Sequence, residues 1–219
     1  MINQKGGDFV DILEQALVFV KEFFSKEFSG HDYFHTLRVY KMATHIALKE
    51  GADLQTVQLA ALLHDVDDRK LSPQTHATKA NARSFLRDHR VAENTIETIC
   101  RIIEEISFGA DAAPSTLESQ CVQDADRLDA IGAVGIARAF AFGGNHNRLM
   151  HHPDIPPKLN MTKEEYRNHN STTVNHFHEK LFLLKGLMNT ATAKQLAEKR
   201  HHYMVKFIEE FLTEWEGLR

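Results

Sequence analysis

The sequence predicts an all-α fold, arranged as a single-domain helical bundle. Apolar residues recur at intervals of three and four through most of the 219 residues, as on the buried faces of amphipathic helices. No segment shows the apolar–polar alternation of a half-buried strand. With 42% hydrophobic residues and no linker rich in proline, glycine or serine, the chain can form one sizeable core. We predict one domain over residues 1–219, with its core at about 30–135 and C-terminal helices at 171–216 packed on it.

The first three helices are predicted from their apolar faces and their ends. Residues 8–27 form an amphipathic helix, and a second helix runs from His35 to Glu50, ending before Gly51. Asp53 is a suitable N-cap for a third helix over 54–67, because its carboxylate can accept hydrogen bonds from first-turn N–H groups. This third helix is apolar nearly all round, which is typical of a central, buried helix.

The remaining helices follow the same periodicity. An alanine-rich helix begins near Cys121 and reaches Phe142, and the glycine- and proline-containing segment 143–160 is predicted to be a loop. Thr192 and Gln195 have the spacing of a capping box at the start of the last helix. The other predicted helices are 76–88, 92–107, 171–188 and 192–216.

Composition restricts the partners of the protein. A net charge of -4 argues against a nucleic-acid groove, which needs a basic face to bind phosphates. No uninterrupted apolar stretch approaches the ~18 residues of a membrane span, and the first residues lack a secretory pattern. Cys100 and Cys121 lie in apolar helical patterns without CxxC spacing, as expected of reduced core residues. We expect a soluble, cytoplasmic protein with no nucleic-acid or membrane partner; its oligomeric state is not readable.

The segment LLHDVDD, residues 62–68, places a histidine and an aspartate side by side at the end of the most apolar helix. His64 continues the buried face that begins at Val57, and His35 shares the buried face of Val39 on the preceding helix. Both imidazoles should therefore point inward. Ionisable groups left unpaired in a core would cost several kcal/mol each, so a partner is required.

A further acid lies on a later apolar face. Asp126 and Asp129 fall on one line in VQDADRLDAIGAVG that should also be buried. Alternatively, Asp126 has a helix-dipole or salt-bridge role with Arg127, and His35 alone could be a hydrogen-bonded core histidine. Two imidazoles and two carboxylates suit Zn, Mn, Fe or Ni, with positions left for water or substrate. The candidate ligands are His35, His64, Asp65 and Asp126.

These four residues, in this order, resemble the H...HD...D signature of the HD-domain metal-dependent phosphohydrolases. The motifs HTLRV, LAALLHDVDD and ADRLDA carry the resemblance, which extends over about residues 8–217. The segments HDYFHTLRV, VQDADRLDAIGAVGIAR, HFHEKL and the terminal EW-G are similar to bacterial stand-alone HD hydrolases related to nucleotide pyrophosphohydrolases. The resemblance implies an all-α bundle of the HD-domain type with a central metal site.

One divalent ion (Mn, Mg, Ni, Co, Fe or Zn) in such a site would lower the pKa of a bound water toward ~7 and offset phosphoryl charge. Proton transfer needs a nearby carboxylate, and Asp68, three residues past Asp65, is the nearest candidate. Similar stringent-response hydrolases have an acid at this spacing, and the resemblance implies the same catalytic role here. The alternative is a solvated acid in the charged run DVDDRK.

Substrate phosphates would need cations. Arg200 and Lys180 lie on apolar helix faces, where a cation needs an explanation. Each could bind a substrate phosphate, form a structural salt bridge, or extend its charged end to solvent. The resemblance adds Lys70 as a third candidate. His31 and Asp32, one turn before His35, could orient that ligand as outer-sphere partners.

The predicted function is hydrolysis of a phosphoester or phosphoanhydride bond of a small nucleotide by metal-activated water, with a nucleoside triphosphate pyrophosphohydrolase favoured. A nucleotide phosphomonoesterase is the alternative within this class. A di-iron HD-type oxygenase would require further histidines, for which His76 and His89 are available, although both lie in contexts that favour solvent. A non-catalytic metal-binding module is the third possibility.

Overall fold

The computed structural model describes the chain except residues 1–3, 28–29, 107–112, 163, 166–168, 170 and 219, and it describes 4–10 by backbone alone. The described residues are all-helical and contain no β-strand, which confirms the predicted fold class. They form two compact units, residues 1–125 and 126–219. The expectation of one domain stays a prediction. Of the helices described, none is both long and apolar enough to cross a membrane.

Helix α3 lies at the centre of the first unit and packs against α1, α2 and α5. Seven consecutive residues of α3, from Val57 to Leu63, are buried, which confirms the prediction of a central helix. Cys100 and Cys121 are buried free thiols, as expected. The helices that begin in this unit are α1 (Gln4–Phe23), α2 (Tyr33–Glu50), α3 (Leu54–Leu63), α4 (Ala80–Asp88), α5 (Glu93–Ile106) and α6 (Leu117–Asp129).

The sequence predicts the start of α3 correctly and its end wrongly. Asp53 is its N-cap, as predicted, and accepts a hydrogen bond from the Thr56 N–H at 2.8 Å. The predicted end at residue 67 is wrong, because the helix stops at Leu63 and residues 64–67 form turns. The histidine–aspartate pair is therefore presented by a turn that leaves the buried helix.

The predicted helix over 76–88 begins only at Ala80, after a run of turns. The Asp67 carboxylate accepts hydrogen bonds from the N–H groups of Asn81 and Ala82, at 3.2 Å and 3.0 Å. Since the first N–H groups of a helix have no partner within it, Asp67 caps α4 from a distant position in the chain.

The single helix predicted from Cys121 to Phe142 is wrong: α6 ends at Asp129 and α7 (Gly132–Asn145) begins after a break. Gly132 has a φ of 80°, in the left-handed region that favours glycine. A Cβ at this position would lie 3.0 Å from the Arg200 side chain. The left-handed backbone of Gly132 thus lies at the break between two helices that the alanine-rich composition suggested were one.

The second unit contains α7, α8 (Thr173–Glu179), a 3-10 helix (Leu181–Leu187) and α9 (Ala191–Trp215). The helix predicted over 171–188 is therefore two elements, joined at Lys180. The capping box at Thr192 and Gln195 is also wrong, because α9 begins at Ala191 and its N-cap lies two residues before Thr192. Its N-cap is Thr190, whose hydroxyl accepts a hydrogen bond from the Ala193 N–H at 3.2 Å.

The loop predicted over 143–160 begins at residue 146, because α7 extends to Asn145. Hydrogen bonds fasten it to α8: the Asn175 side chain donates to the Ile155 carbonyl at 2.8 Å, and the Thr173 N–H donates to the Leu149 carbonyl at 2.9 Å. The buried Glu179 carboxylate accepts the Lys158 N–H at 3.0 Å. The histidine-rich loop is thus held by its backbone.

Candidate metal centre

The first unit brings an imidazole from α2 next to the turn that ends α3. Asp32 is the N-cap of α2 and accepts a hydrogen bond from the His35 N–H at 2.7 Å. Asp32 therefore fixes the first turn of α2 through the backbone, and by this contact it positions the His35 ring indirectly. His64 follows the last residue of α3, and Asp65 follows it in the turn.

Three imidazoles surround one carboxylate oxygen in this region. Asp65 Oδ2 lies 2.8 Å from His31 Nδ1, 3.2 Å from His64 Nε2 and 3.4 Å from His35 Nε2. His35 and His64 are buried, with 1% and 7% of their surface exposed, as their periodicity predicted. His31 is half-exposed at the outer side. We refer to His31, His35, His64 and Asp65 as the histidine–aspartate cluster.

The hydrogen bonding of His64 shows which nitrogen faces the cluster. Its Nδ1 lies 2.8 Å from the Ala61 carbonyl, and because a carbonyl can only accept, Nδ1 carries a proton. In the neutral ring, Nε2 then presents a lone pair toward Asp65 Oδ2 and toward His35 Nε2, which is 3.3 Å away. Lone pairs that converge in this way are stabilised by a positive charge between them, which a proton or a metal cation can supply. The donors present therefore fit a divalent metal cation.

The Asp65 carboxylate is ionised despite its burial. Burial alone would raise its pKa, but the positive charge of His64 in its protonated form, with hydrogen bonds from the imidazoles, outweighs this and holds the pKa of Asp65 well below its ordinary value. When His64 is neutral, a bound cation would supply the positive charge instead. Metal ligands must be deprotonated, so the carboxylate is in the form that binds a cation.

His31 lies nearer to the centre than the sequence suggested. It was expected to orient His35, whereas its ring N–H donates to Asp65. A ring nitrogen of His31, a ring nitrogen of His35 and a carboxylate oxygen of Asp65 lie within 4.8 Å of one another, so these three residues could hold an ion. Asp126 is the first residue of the second unit and is half-buried on α6. Its role as a ligand stays a prediction.

Asp68 and Lys70 form a local turn. The Asp68 carboxylate accepts a hydrogen bond from the Lys70 N–H at 2.8 Å, while the Asp68 N–H donates to the Asp65 carbonyl at 3.0 Å. Asp68 is half-buried and Lys70 is exposed. A backbone hydrogen bond thus joins Asp68, the predicted proton acceptor, to Asp65, a predicted metal ligand. The catalytic role of Asp68 and the substrate-binding role of Lys70 stay predictions.

The two predicted cations of the second unit have structural contacts. The half-buried Arg200 guanidinium donates a hydrogen bond to the Leu128 carbonyl, and burial lowers its pKa. Arg200 thus satisfies a carbonyl near the end of α6, which favours the structural alternative. Lys180 follows α8, and its charge acts on the neighbouring His176. The substrate-binding roles of Arg200 and Lys180 are untested predictions.

We expect His176 to make the protein sensitive to acid. Burial, with the positive charges of Lys180 and Arg148, lowers the pKa of His176 to about 3 from an ordinary 6.5. Below pH 6.5 the unfolded chain binds a proton that the folded chain excludes, so stability falls by up to about 1.4 kcal/mol for each pH unit until about pH 3. Urea denaturation at pH 7.5 and 5.0 should show a smaller loss for His176→Gln than for wild type.

The exposed His202 supplies the control for this measurement, because His202→Gln should lose as much stability on acidification as wild type. Equal losses in wild type and His176→Gln would show that His176 is not the acid-sensitive group.

The two histidines considered for a second iron have other contacts. His76 Nδ1 donates to the Asp67 carbonyl at 2.9 Å, and His89 Nδ1 donates to the Phe85 carbonyl at 2.8 Å. The His89 ring also packs on that of Phe85, with centroids 4.3 Å apart. Neither belongs to a group of three or more possible metal ligands among the described residues.

Sequence reasoning missed two buried acids with structural roles. Asp67 caps α4, and Asp129 forms an ion pair with Arg138 across the break between α6 and α7. No local signal in the sequence identifies Asp67 as a cap, because it lies 13 residues before the first residue of α4. Asp129 had a signal in Arg138, nine residues later, but the predicted continuous helix concealed it.

The fold and the cluster define an all-helical protein with a buried histidine–aspartate site able to hold a cation. The family model "HD domain" matches residues 32–131. The chain is 37% identical over 209 residues to the uncharacterized protein YpgQ of Bacillus subtilis (strain 168), covering 94% of both chains. It is also similar to a crystal structure of an HD-superfamily hydrolase from Bacillus thuringiensis, with 42% identity, 95% and 98% of the two chains covered and a TM-score of 0.77.

A crystal structure of Bacillus subtilis YpgQ in complex with ADP is similar as well, with 34% identity, 94% and 100% coverage and a TM-score of 0.76. These similarities extend over nearly the whole chain. The chain belongs to the HD superfamily of hydrolases. It is accordingly an enzyme of the hydrolase class, with a donor set that suits the divalent metals of HD domains.

Proposed function

We propose that the protein hydrolyses a phosphoanhydride bond of a small nucleotide in a metal-dependent reaction, and that it acts as a nucleoside triphosphate pyrophosphohydrolase. The observation that carries this proposal is the convergence of His31, His35 and His64 on one oxygen of the ionised Asp65. A buried site of this composition holds a cation, and phosphate chemistry depends on the charge that such a cation supplies.

His35, His64, Asp65 and Asp126 are the proposed ligands of one divalent ion. The buried positions of His35, His64 and Asp65 and the motif ADRLDA around Asp126 support this set. His31 holds Asp65 through its ring N–H. Carboxylate–histidine contacts of this kind orient metal ligands and raise their basicity.

When bound, a divalent ion supplies positive charge that acidifies water and offsets the charge of the phosphoryl group. Asp68 accepts the proton of the attacking water at a carboxylate oxygen, while its hydrogen bond from the Lys70 N–H keeps the side chain in place. Attack at the α-phosphorus breaks the α–β phosphoanhydride bond and yields a nucleoside monophosphate and pyrophosphate.

The nucleotide class rests on similarity. YpgQ crystallised in complex with ADP, and we extend to this chain a ligand with a nucleoside and a diphosphate. Lys70, Lys180 and Arg200 are the proposed phosphate contacts, of which Lys70 is exposed and adjacent to the turn of Asp68. A cytoplasmic location fits a nucleotide substrate.

Purified protein should release pyrophosphate from a nucleoside triphosphate in the presence of Mn²⁺, Mg²⁺, Ni²⁺ or Co²⁺, and should lose this activity in EDTA. In ¹⁸O-labelled water, the label should enter the monophosphate, because water attacks the α-phosphorus. Release of orthophosphate from a monophosphate would instead assign a phosphomonoesterase. Mass spectrometry of the products distinguishes these outcomes.

The same preparation tests the other readings. Absence of phosphate release from every nucleotide, with two irons per chain in protein loaded without oxygen, would assign the di-iron alternative. Metal binding without turnover of any phosphate compound would leave a binding module. Either result would refute the proposed hydrolysis.

A further inference from the structure

The turn that carries Asp65 and Asp68 is joined to α4 by side-chain hydrogen bonds. Residues 64–79 form turns without a regular helix, so the backbone ladder of α3 does not extend to them. Their position must come from other contacts. Asn81, the second residue of α4, supplies several of these contacts.

The Asn81 side chain joins the two ends of this segment. Its amide nitrogen donates to the Val66 carbonyl at 2.8 Å and to Thr75 Oγ1 at 3.0 Å. The Val66 carbonyl belongs to the residue directly after Asp65. One side chain thus fixes the peptide next to the proposed metal ligand and, at the same time, the returning part of the segment.

The Asp67 residue is held from two sides. Its carboxylate, 1% exposed, accepts the N–H groups of Asn81 and Ala82, and its carbonyl accepts the His76 ring N–H at 2.9 Å. Buried hydrogen bonds to a carboxylate are among the stronger ones in proteins. Asp67 therefore joins the turn to α4.

We propose that Asn81 is a positioning residue of the metal site. It fixes the 64–68 turn, so that Asp65 and Asp68 keep their positions relative to His35. The predicted effect of Asn81 on catalysis rests on the proposed function, whereas its predicted effect on the 64–68 turn does not. Asn81 lies outside the four-residue signature of the resemblance, and its side chain acts through the Val66 carbonyl and Thr75 Oγ1.

The test uses Asn81→Ala and Asn81→Asp, which both lose the two side-chain donors, whereas only the second adds a charge. Alanine favours helix, so α4 should be retained. Hydrogen exchange should become faster at the amides of the 64–68 turn, including the Asp68 N–H that is bonded to the Asp65 carbonyl. Calorimetry with Mn²⁺ should show a dissociation constant about 10–100-fold higher, the usual effect of losing an outer-sphere partner.

With a nucleoside triphosphate substrate, kcat should fall by a similar factor of about 10–100 while KM changes little, because binding contacts remain. Two controls on the same helix separate positioning from general destabilisation. Ser84→Gly weakens α4 at an exposed position away from the contacts with the turn, and Ser84→Ala removes only an exposed hydroxyl. Both should retain wild-type Mn²⁺ affinity and kcat.

Unchanged exchange at residues 64–68 in Asn81→Ala would overturn the proposal, whether or not wild type binds metal. Faster exchange with unchanged Mn²⁺ affinity and kcat would also overturn it, since the turn would then move without affecting the site. Wild type that binds no Mn²⁺ and hydrolyses no nucleotide would refute the proposed function, and the exchange measurement would still decide whether Asn81 holds the turn.

Discussion

Replacing His64 with alanine should remove the bound metal and lower kcat/KM for the nucleotide by about 10³-fold or more. The imidazole is buried, its Nδ1 proton is committed to the Ala61 carbonyl and its Nε2 faces Asp65 and His35. The variant thus lacks one of the two buried imidazole nitrogens of the proposed ligand set. A metal stabilises a phosphoryl transition state by several kcal/mol, which corresponds to at least three powers of ten in rate.

Metal analysis after gel filtration, with kinetics on the same sample, checks this result. His45→Ala is the matched control, because it removes an exposed imidazole from α2 without a contact to the cluster. Asp126→Ala tests the fourth proposed ligand in the same assay. Full metal occupancy and unchanged hydrolysis in both His64→Ala and Asp126→Ala would show that the metal lies elsewhere.

Replacing Asp68 with asparagine should leave metal binding intact and lower kcat by about two to four powers of ten, the usual contribution of a general acid or base. The substitution is well matched to the structure. Asparagine retains a carbonyl oxygen, which can accept the Lys70 N–H that Asp68 accepts at 2.8 Å. The turn should therefore persist while the proton acceptor is lost.

Kinetics with saturating Mn²⁺ would measure this loss, and the exposed Asp88→Asn on α4 provides a carboxylate control. Turnover at the wild-type rate in Asp68→Asn would assign proton transfer to another group. Loss of Mn²⁺ affinity in the same variant would instead make Asp68 a ligand or a support for one.

The sequence predicted the parts of the site that depend on helical periodicity. His35 and His64 are buried because they share a face with apolar residues, and this relation is local along a helix. The N-cap at Asp53 was readable for the same reason, since cap and helix are adjacent. The order of histidine, histidine–aspartate and aspartate gave the family through resemblance.

Features that depend on contacts between residues far apart in the chain could not be predicted from the sequence. The contact of His31 with Asp65 spans 34 residues, and the cap of α4 by Asp67 depends on how a segment of turns returns. The break at Gly132 depends on a left-handed backbone that one glycine permits and that composition alone does not reveal. The start of α9 was also predicted wrongly. Thr190 and Thr192 are equally suitable N-cap residues by type, and the structure has Thr190 as the N-cap.

The burial of α3 on all sides restricts how this enzyme can evolve. Each residue from Val57 to Leu63 is enclosed by other side chains, so shortening an aliphatic one leaves a cavity that costs about 0.5–5 kcal/mol. A marginally stable protein tolerates few such changes. Laboratory selection for a new substrate should therefore enrich substitutions in the more exposed segment 69–78, while the helix that ends at His64 keeps its sequence.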